Sequence, residues 1–118
     1  MANNTPLEEE EQKVIAEYLD YTVGGRNWCH VPNEGKHKPQ YRAKQQRLGL
    51  KSGVPDILIF KAPEEYNGVA IEMKRQKGGR VSENQKNWLQ SLKENGWLTT
   101  VAKGADEAIN FLKDNDVV

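Results

Sequence analysis

The chain has 118 residues, with only one cysteine, Cys29, and two histidines. A lone cysteine excludes an internal disulfide and fits a reducing compartment. So few Cys and His side chains also argue against a structural zinc site, which takes four such ligands. Long apolar runs are missing, and a membrane-spanning helix needs roughly 20 apolar residues in a row. The first residues, Met1-Ala2-Asn3-Asn4, carry neither the basic nor the apolar region of a secretory signal. A cytoplasmic location without membrane contact is therefore expected. There is no internal repeat and no compositional break, so residues 1–118 are expected to form one domain with a modest core. Hydrophobic residues make up 36% and charged residues 29%, which is ordinary for a globular chain.

Net charge is also absent, because 17 Lys and Arg balance 17 Asp and Glu. The balance hides a segregation. Residues 8–11 are all glutamate. Lys36, Lys38, Arg42, Lys44, Arg47 and Lys51 follow one another with no acidic residue between them. Lys74, Arg75, Lys77, Arg80 and Lys86 form a second basic group, broken only by Glu83. Local positive fields of this kind attract a polyanion even at zero net charge. The competing reading is a solvated charged surface.

Apolar periodicity and turn signals divide the chain into elements. Thr5 as N-cap, Pro6 at the first helical position and Glu8 as capping-box partner predict a helix reaching about Tyr21. Its apolar stripe is Val14, Ile15, Tyr18 and Leu19. Glu11 precedes that stripe at helical spacing and so points inward, with Glu8 one turn earlier on a similar face. Gly24-Gly25 stops the helix. Asn27 to Val31 reads as a short strand, and Pro32 to Gly35 as a turn. A basic helix is predicted from Pro39 to about Leu48. Ile57 to Phe60 and Val69 to Lys74 read as two antiparallel strands. Ser82-Glu83-Asn84-Gln85 is a capping box opening a helix with Trp88, Leu89 and Leu92 on one face. Trp97 to Ala102 is a strand expected to run parallel to the Glu72 strand through a right-handed crossover. A last helix has Asp106 as N-cap and Ala108, Ile109, Phe111 and Leu112 as its buried side.

Two stretches carry the chemistry. Gly53-Val54-Pro55-Asp56 precedes one apolar strand, and Glu72-Met73-Lys74 ends the next. Glu72 and Lys74 share a strand face because side chains alternate. Charges on an otherwise apolar strand are costly unless paired or holding a metal. Asp56, Glu72 and Lys74 are therefore read as the centre of a metal-dependent active site. Two carboxylates on adjacent strands offer hard oxygen ligands suited to Mg²⁺ or Mn²⁺. Lys74 would orient an attacking water or stabilise developing negative charge. Glu11 would add a further oxygen ligand from the first helix or hold a bridging water. Gln85, on the inward face at the start of its helix, serves as a cap, a site residue, or both. The competing reading is a structural salt bridge.

Pro55-Asp56 together with Glu72-Met73-Lys74 resembles the PD-(D/E)XK nuclease signature. Gly53-Val54-Pro55-Asp56, Ile71-Glu72-Met73-Lys74, Gly79-Arg80-Val81-Ser82 with Gln85, Gly96, and Glu11-Gln12 are similar to the VRR-NUC branch, especially its small standalone phage-type members. The resemblance covers about Leu7 to Leu112. It implies an α/β restriction-endonuclease-like core, a central mixed sheet of about four strands flanked by helices. It also implies Mg²⁺- or Mn²⁺-dependent hydrolysis of phosphodiester bonds in DNA. Asp56 and Glu72 would be metal ligands, with the Met73 carbonyl as a third. Lys74 would be the catalytic lysine and Gln85 the family's helix glutamine. The first-helix acid is assigned to Glu11, with Glu8 in reserve. Small members of this branch resemble Holliday junction resolvases, which implies a homodimer, and backbone contacts that read no sequence point to structure-selective cutting of branched DNA. Lys36, Lys38, Arg42, Lys44, Lys51, Lys77 and Arg80 would contact phosphates, while His30, Asn33 and Tyr41 would line the groove. Two alternatives stay open: a non-catalytic DNA-binding module, and a sequence-specific restriction-type nuclease.

Overall fold

The computed structural model describes residues 5–32 and 38–118. Its elements are α1 (Glu8–Leu19) with a π-helical extension (Asp20–Gly24), β1 (Trp28–His30), α2 (Pro39–Arg47), β2 (Ile57–Ile59), β3 (Val69–Lys74), α3 (Glu83–Glu94), β4 (Leu98–Lys103) and α4 (Ala105–Asp114). The four strands form one mixed sheet in the order β1-β2-β3-β4. β1 pairs antiparallel with β2, β2 antiparallel with β3, and β3 parallel with β4. The expected α/β architecture is what the chain adopts, including the parallel return of β4 after α3.

β3 is the axis of the molecule, and all six of its residues are buried. Val69, Ile71 and Met73 enter the core with Ile15 and Leu19 of α1, Ile57 and Ile59 of β2, and Ala108 and Leu112 of α4. Burial of each large member contributes roughly 1.5–3 kcal/mol. That energy fixes the strand's register, since a one-residue slip would turn Ile71 and Met73 out of the core. Glu72 and Lys74 are thereby committed to the opposite face, where α3 packs on β3 and β4. No α3 residue is fully buried, and Trp88, Leu89 and Leu92 form its half-covered side.

Several local expectations are corrected. Leu7, not Thr5, is the N-cap of α1, and that cap makes no side-chain hydrogen bond. Glu8 is thus freed from a capping-box role. Val14 is 50% exposed, because the buried edge of α1 follows Glu11, Ile15 and Leu19. Phe60 lies just past β2 and is exposed. The N-cap of α4 is Gly104 rather than Asp106, which sits in the first turn. Gly104 adopts φ 95°, and a Cβ there would collide with Glu11 Oε2. The proposed turn at residues 32–35, together with Asn33 and Lys36, falls wholly or partly outside the described residues.

Candidate functional site

Glu72 is the most deeply placed charged side chain of the sheet, 2% exposed. Its Oε2 accepts a hydrogen bond from Gln85 Nε2 at 3.2 Å and lies 3.6 Å from Lys74 Nζ. Its Oε1 is buried and has no hydrogen-bond partner among the described residues. Burial pushes this carboxyl up to about 8; the neighbouring Asp56 carboxylate pushes the same way, and Lys74 opposes them. A buried carboxylate with an idle oxygen is strained in isolation and suited to a cation.

Asp56 stands at the entrance of β2 and is tied to β3, where the Met73 N–H donates to its Oδ2 at 2.7 Å. The approach to Asp56 depends on Gly53. This residue has φ 86°, and a Cβ there would come within 2.8 Å of the Asn84 backbone. Only glycine lets the turn pass this close to the start of α3. The same helix start carries the capping box foreseen from the sequence: Gln85 N–H donates to Ser82 Oγ, and Ser82 N–H donates to Gln85 Oε1. Gln85 therefore fills both roles at once, its Oε1 serving the cap and its Nε2 holding Glu72.

The third carboxylate comes from α1 and is Glu8. One oxygen each of Glu8, Asp56 and Glu72 lie within 4.8 Å of one another. The Glu8 carboxyl is raised above its ordinary value by burial; Lys74 counters this, Asp56 adds to it, and Arg75 opposes it. Glu11 points inward as expected but to another place. Its Oε2 accepts the Ala105 N–H at 2.7 Å, so it caps the N-terminus of α4 across 94 residues of sequence. There it satisfies a helix-end donor and meets the positive end of the helix dipole. Glu11, the first choice for a further ligand, is engaged at the start of α4, while Glu8, held in reserve for that role, lies beside Asp56 and Glu72. The helical spacing that singled out Glu11 also marks Glu8, but spacing alone does not say which turn faces the sheet's open end.

Glu8, Asp56, Glu72, Lys74 and Gln85 line a cleft of about 370 Å³, with Lys51, Ser52 and Gly53 in its wall. Of the expected phosphate contacts, Lys51 is in the wall. Lys38, Arg42, Lys44, Lys77 and Arg80 lie outside this lining, on or near α2 and on the β3–α3 connection. α2 buries no residue, so its basic side chains and Tyr41 are presented at the surface. His30 lines an adjoining cavity of about 360 Å³ with Glu8, Glu9, Gln12, Pro32 and Asp56. Its Nδ1 lies 3.0 Å from the Asp56 carbonyl oxygen, which orients the ring beside the carboxylate cluster. No helix is long and apolar enough to cross a membrane among the described residues.

The donor set passes a chemical test for a hard divalent cation. Three carboxylates converge from α1, β2 and β3, one oxygen of Glu72 is orphaned, and a lysine stands beside the cluster.

No curated protein matches this chain. Among solved structures it is similar to a VRR_NUC domain protein, with a TM-score of 0.79 and 27% identity over 98% of this chain and 90% of that one. The family model for the VRR-NUC domain matches residues 7–106, a span that holds all three carboxylates, Lys74 and Gln85. With a nuclease-type fold, an acidic cluster at the end of its central strands and a match across that span, the chain belongs to the VRR-NUC domain family.

Proposed function

We propose that the protein is a DNA endonuclease that depends on Mg²⁺ or Mn²⁺ and hydrolyses phosphodiester bonds. The observation that carries this reading is the convergence of Glu8, Asp56 and Glu72 within 4.8 Å, with Lys74 Nζ 3.6 Å from Glu72. Glu8, Asp56 and Glu72 would hold the cation, with the Met73 carbonyl as a further oxygen. A bound cation supplies charge neutralisation at the phosphoryl group and a more acidic water.

The chain's own groups divide the remaining work. Gln85 fixes the Glu72 carboxylate through Oε2, so that Glu72 would be held in place as a ligand of the cation. The Met73 N–H holds Asp56 in the same way through Oδ2. Lys74 offers ammonium donors to the cleft, where it orients an attacking water and stabilises charge on the phosphoryl oxygens. Lys51 meets the DNA backbone at the cleft wall, while Lys38, Arg42, Lys44, Lys77 and Arg80 extend the positive surface beyond it. His30 flanks the backbone on the Glu8 side. Contacts of this type position a strand without reading its bases, which favours branched or junction DNA over a recognition sequence. The resemblance to junction-resolving nucleases supports a homodimer, which would place one centre on each strand.

The test uses labelled duplex, flap and four-way-junction DNA with Mg²⁺, Mn²⁺ or EDTA. Metal-dependent cleavage, strongest on a branched substrate, is expected. Asp56→Asn and Lys74→Ala should abolish cutting while leaving DNA binding in place. Binding without cleavage of any substrate would identify a non-catalytic module instead. Discrete fragments from long linear duplex would identify a restriction-type specificity.

A further inference from the structure

Glu8 is the one carboxylate of the cluster that does not come from the sheet. It belongs to the first turn of α1, which carries four consecutive glutamates and whose N-cap makes no side-chain hydrogen bond. A helix end of this kind frays readily. Something must hold it if Glu8 is to stay near Asp56 and Glu72.

Arg75 directly follows Lys74 at the exit of β3 and is half-buried. Its Nε donates to the Pro6 carbonyl at 3.3 Å and its Nη2 to the Thr5 carbonyl at 3.1 Å. These carbonyls lie two and three residues before Glu8. On the other side of Glu8, the Glu11 carboxylate is bonded to the Ala105 N–H. Gly104 N–H in turn donates to the Lys74 carbonyl at 2.9 Å. Both tethers of the α1 start therefore lead back to the end of β3, the strand that carries Glu72 and Lys74. The planar fork of arginine suits this task, because one side chain spans two successive carbonyls in a fixed geometry.

We propose that Arg75 is a positioning residue of the metal centre: it clamps the start of α1 to the end of β3 and so sets the distance of Glu8 from Asp56 and Glu72. In the sequence Arg75 reads as one more cation of a basic group; in the fold its guanidinium is bonded to the protein's own backbone. The inference rests on the metal-centre reading given above and concerns cation affinity rather than DNA contact.

The experiment is Mn²⁺ binding by titration calorimetry without DNA, on the wild type, Arg75→Ala, Arg75→Lys, Glu8→Gln and the Glu8→Gln/Arg75→Ala double variant. Arg75→Ala should weaken Mn²⁺ binding by about 10- to 100-fold, the usual effect of losing a group that orients metal ligands. Arg75→Lys, which keeps the charge but not the fork, should fall between the two. In the Glu8→Gln background Arg75→Ala should add less than about threefold, because the two changes act on one ligand. A lowered melting temperature with the wild-type Mn²⁺ constant would overturn the proposal in favour of a purely structural role. So would weaker DNA binding in EDTA with Mn²⁺ affinity unchanged. Should Arg75→Ala not fold, the Arg75→Lys constant decides, and a value equal to the wild type's refutes the clamp. A wild-type protein that binds no Mn²⁺ would instead refute the metal centre itself.

Discussion

Replacing Glu72 by Gln isolates the strain that the site stores. The change is nearly isosteric, and the amide oxygen can still accept the bond from Gln85 Nε2. The Glu72 carboxyl has an ordinary value of 4.5 and is pushed to about 8 in the folded protein, mainly by burial. The folded state therefore holds the extra proton between these values. Its stability falls as pH rises across that window, and the strain is complete above the upper value. A shift of this size sets a ceiling of about 5 kcal/mol, at 1.36 kcal/mol per pH unit. The open cleft screens part of this, and the Glu72→Gln variant gives up the ion pair with Lys74, so a gain of about 2 kcal/mol is expected. For a domain of this length that corresponds to roughly 8 °C in melting temperature. The assay is thermal unfolding by circular dichroism in EDTA at about pH 5 and about pH 9. The two proteins should melt together near the lower pH, where the carboxyl is protonated, and Glu72→Gln should melt higher near the upper. Curves that stay parallel at both pH values, or a variant less stable at alkaline pH, would refute the reasoning.

Cation binding should release protons, because an occupied site needs Glu72 ionised. Mn²⁺ affinity should thus rise from about pH 5 to about pH 8, with calorimetric heats that depend on the buffer's ionisation enthalpy. Gly53→Ala would force an L-residue into φ 86° and a Cβ against Asn84, so it should cost about 2–3 kcal/mol in denaturant unfolding. Glu11→Ala removes the cap on α4 and should cost about 1–2 kcal/mol. In the same titrations it should weaken Mn²⁺ binding less than Glu8→Gln does, and the opposite order would return the ligand role to Glu11. Gln85→Leu frees the Glu72 carboxylate and unmakes half the capping box, so it should lower both melting temperature and Mn²⁺ affinity.

Alternation along Val69 to Lys74 was enough to place Glu72 and Lys74 on one face, because a strand has only two faces and the apolar residues claim one. The capping box at Ser82 was equally legible, since both partners lie within one helical turn. The antiparallel pairing of β2 with β3 and the parallel return of β4 followed from short and long connections respectively. The acidic run of α1 was different. Glu8 and Glu11 both fall on the inward edge of a helix, and their positions differ by less than one turn. Which one meets Asp56 depends on how far α1 slides along the sheet, and that is fixed by Ile15 and Leu19 in the core and by α4 beneath.

Local patterning by itself thus determined the strands, the Asp56, Glu72 and Lys74 constellation, and the helix that delivers Gln85. These rest on near neighbours in the chain and on two-valued choices of face. Tertiary structure alone decided that Glu8 joins the carboxylates, that Glu11 caps a helix 94 residues away, and that Arg75 is bonded to the backbone before α1. Each of those choices is made by contacts between elements distant in sequence, where a shift of a few ångströms changes the partner and no residue pattern records it.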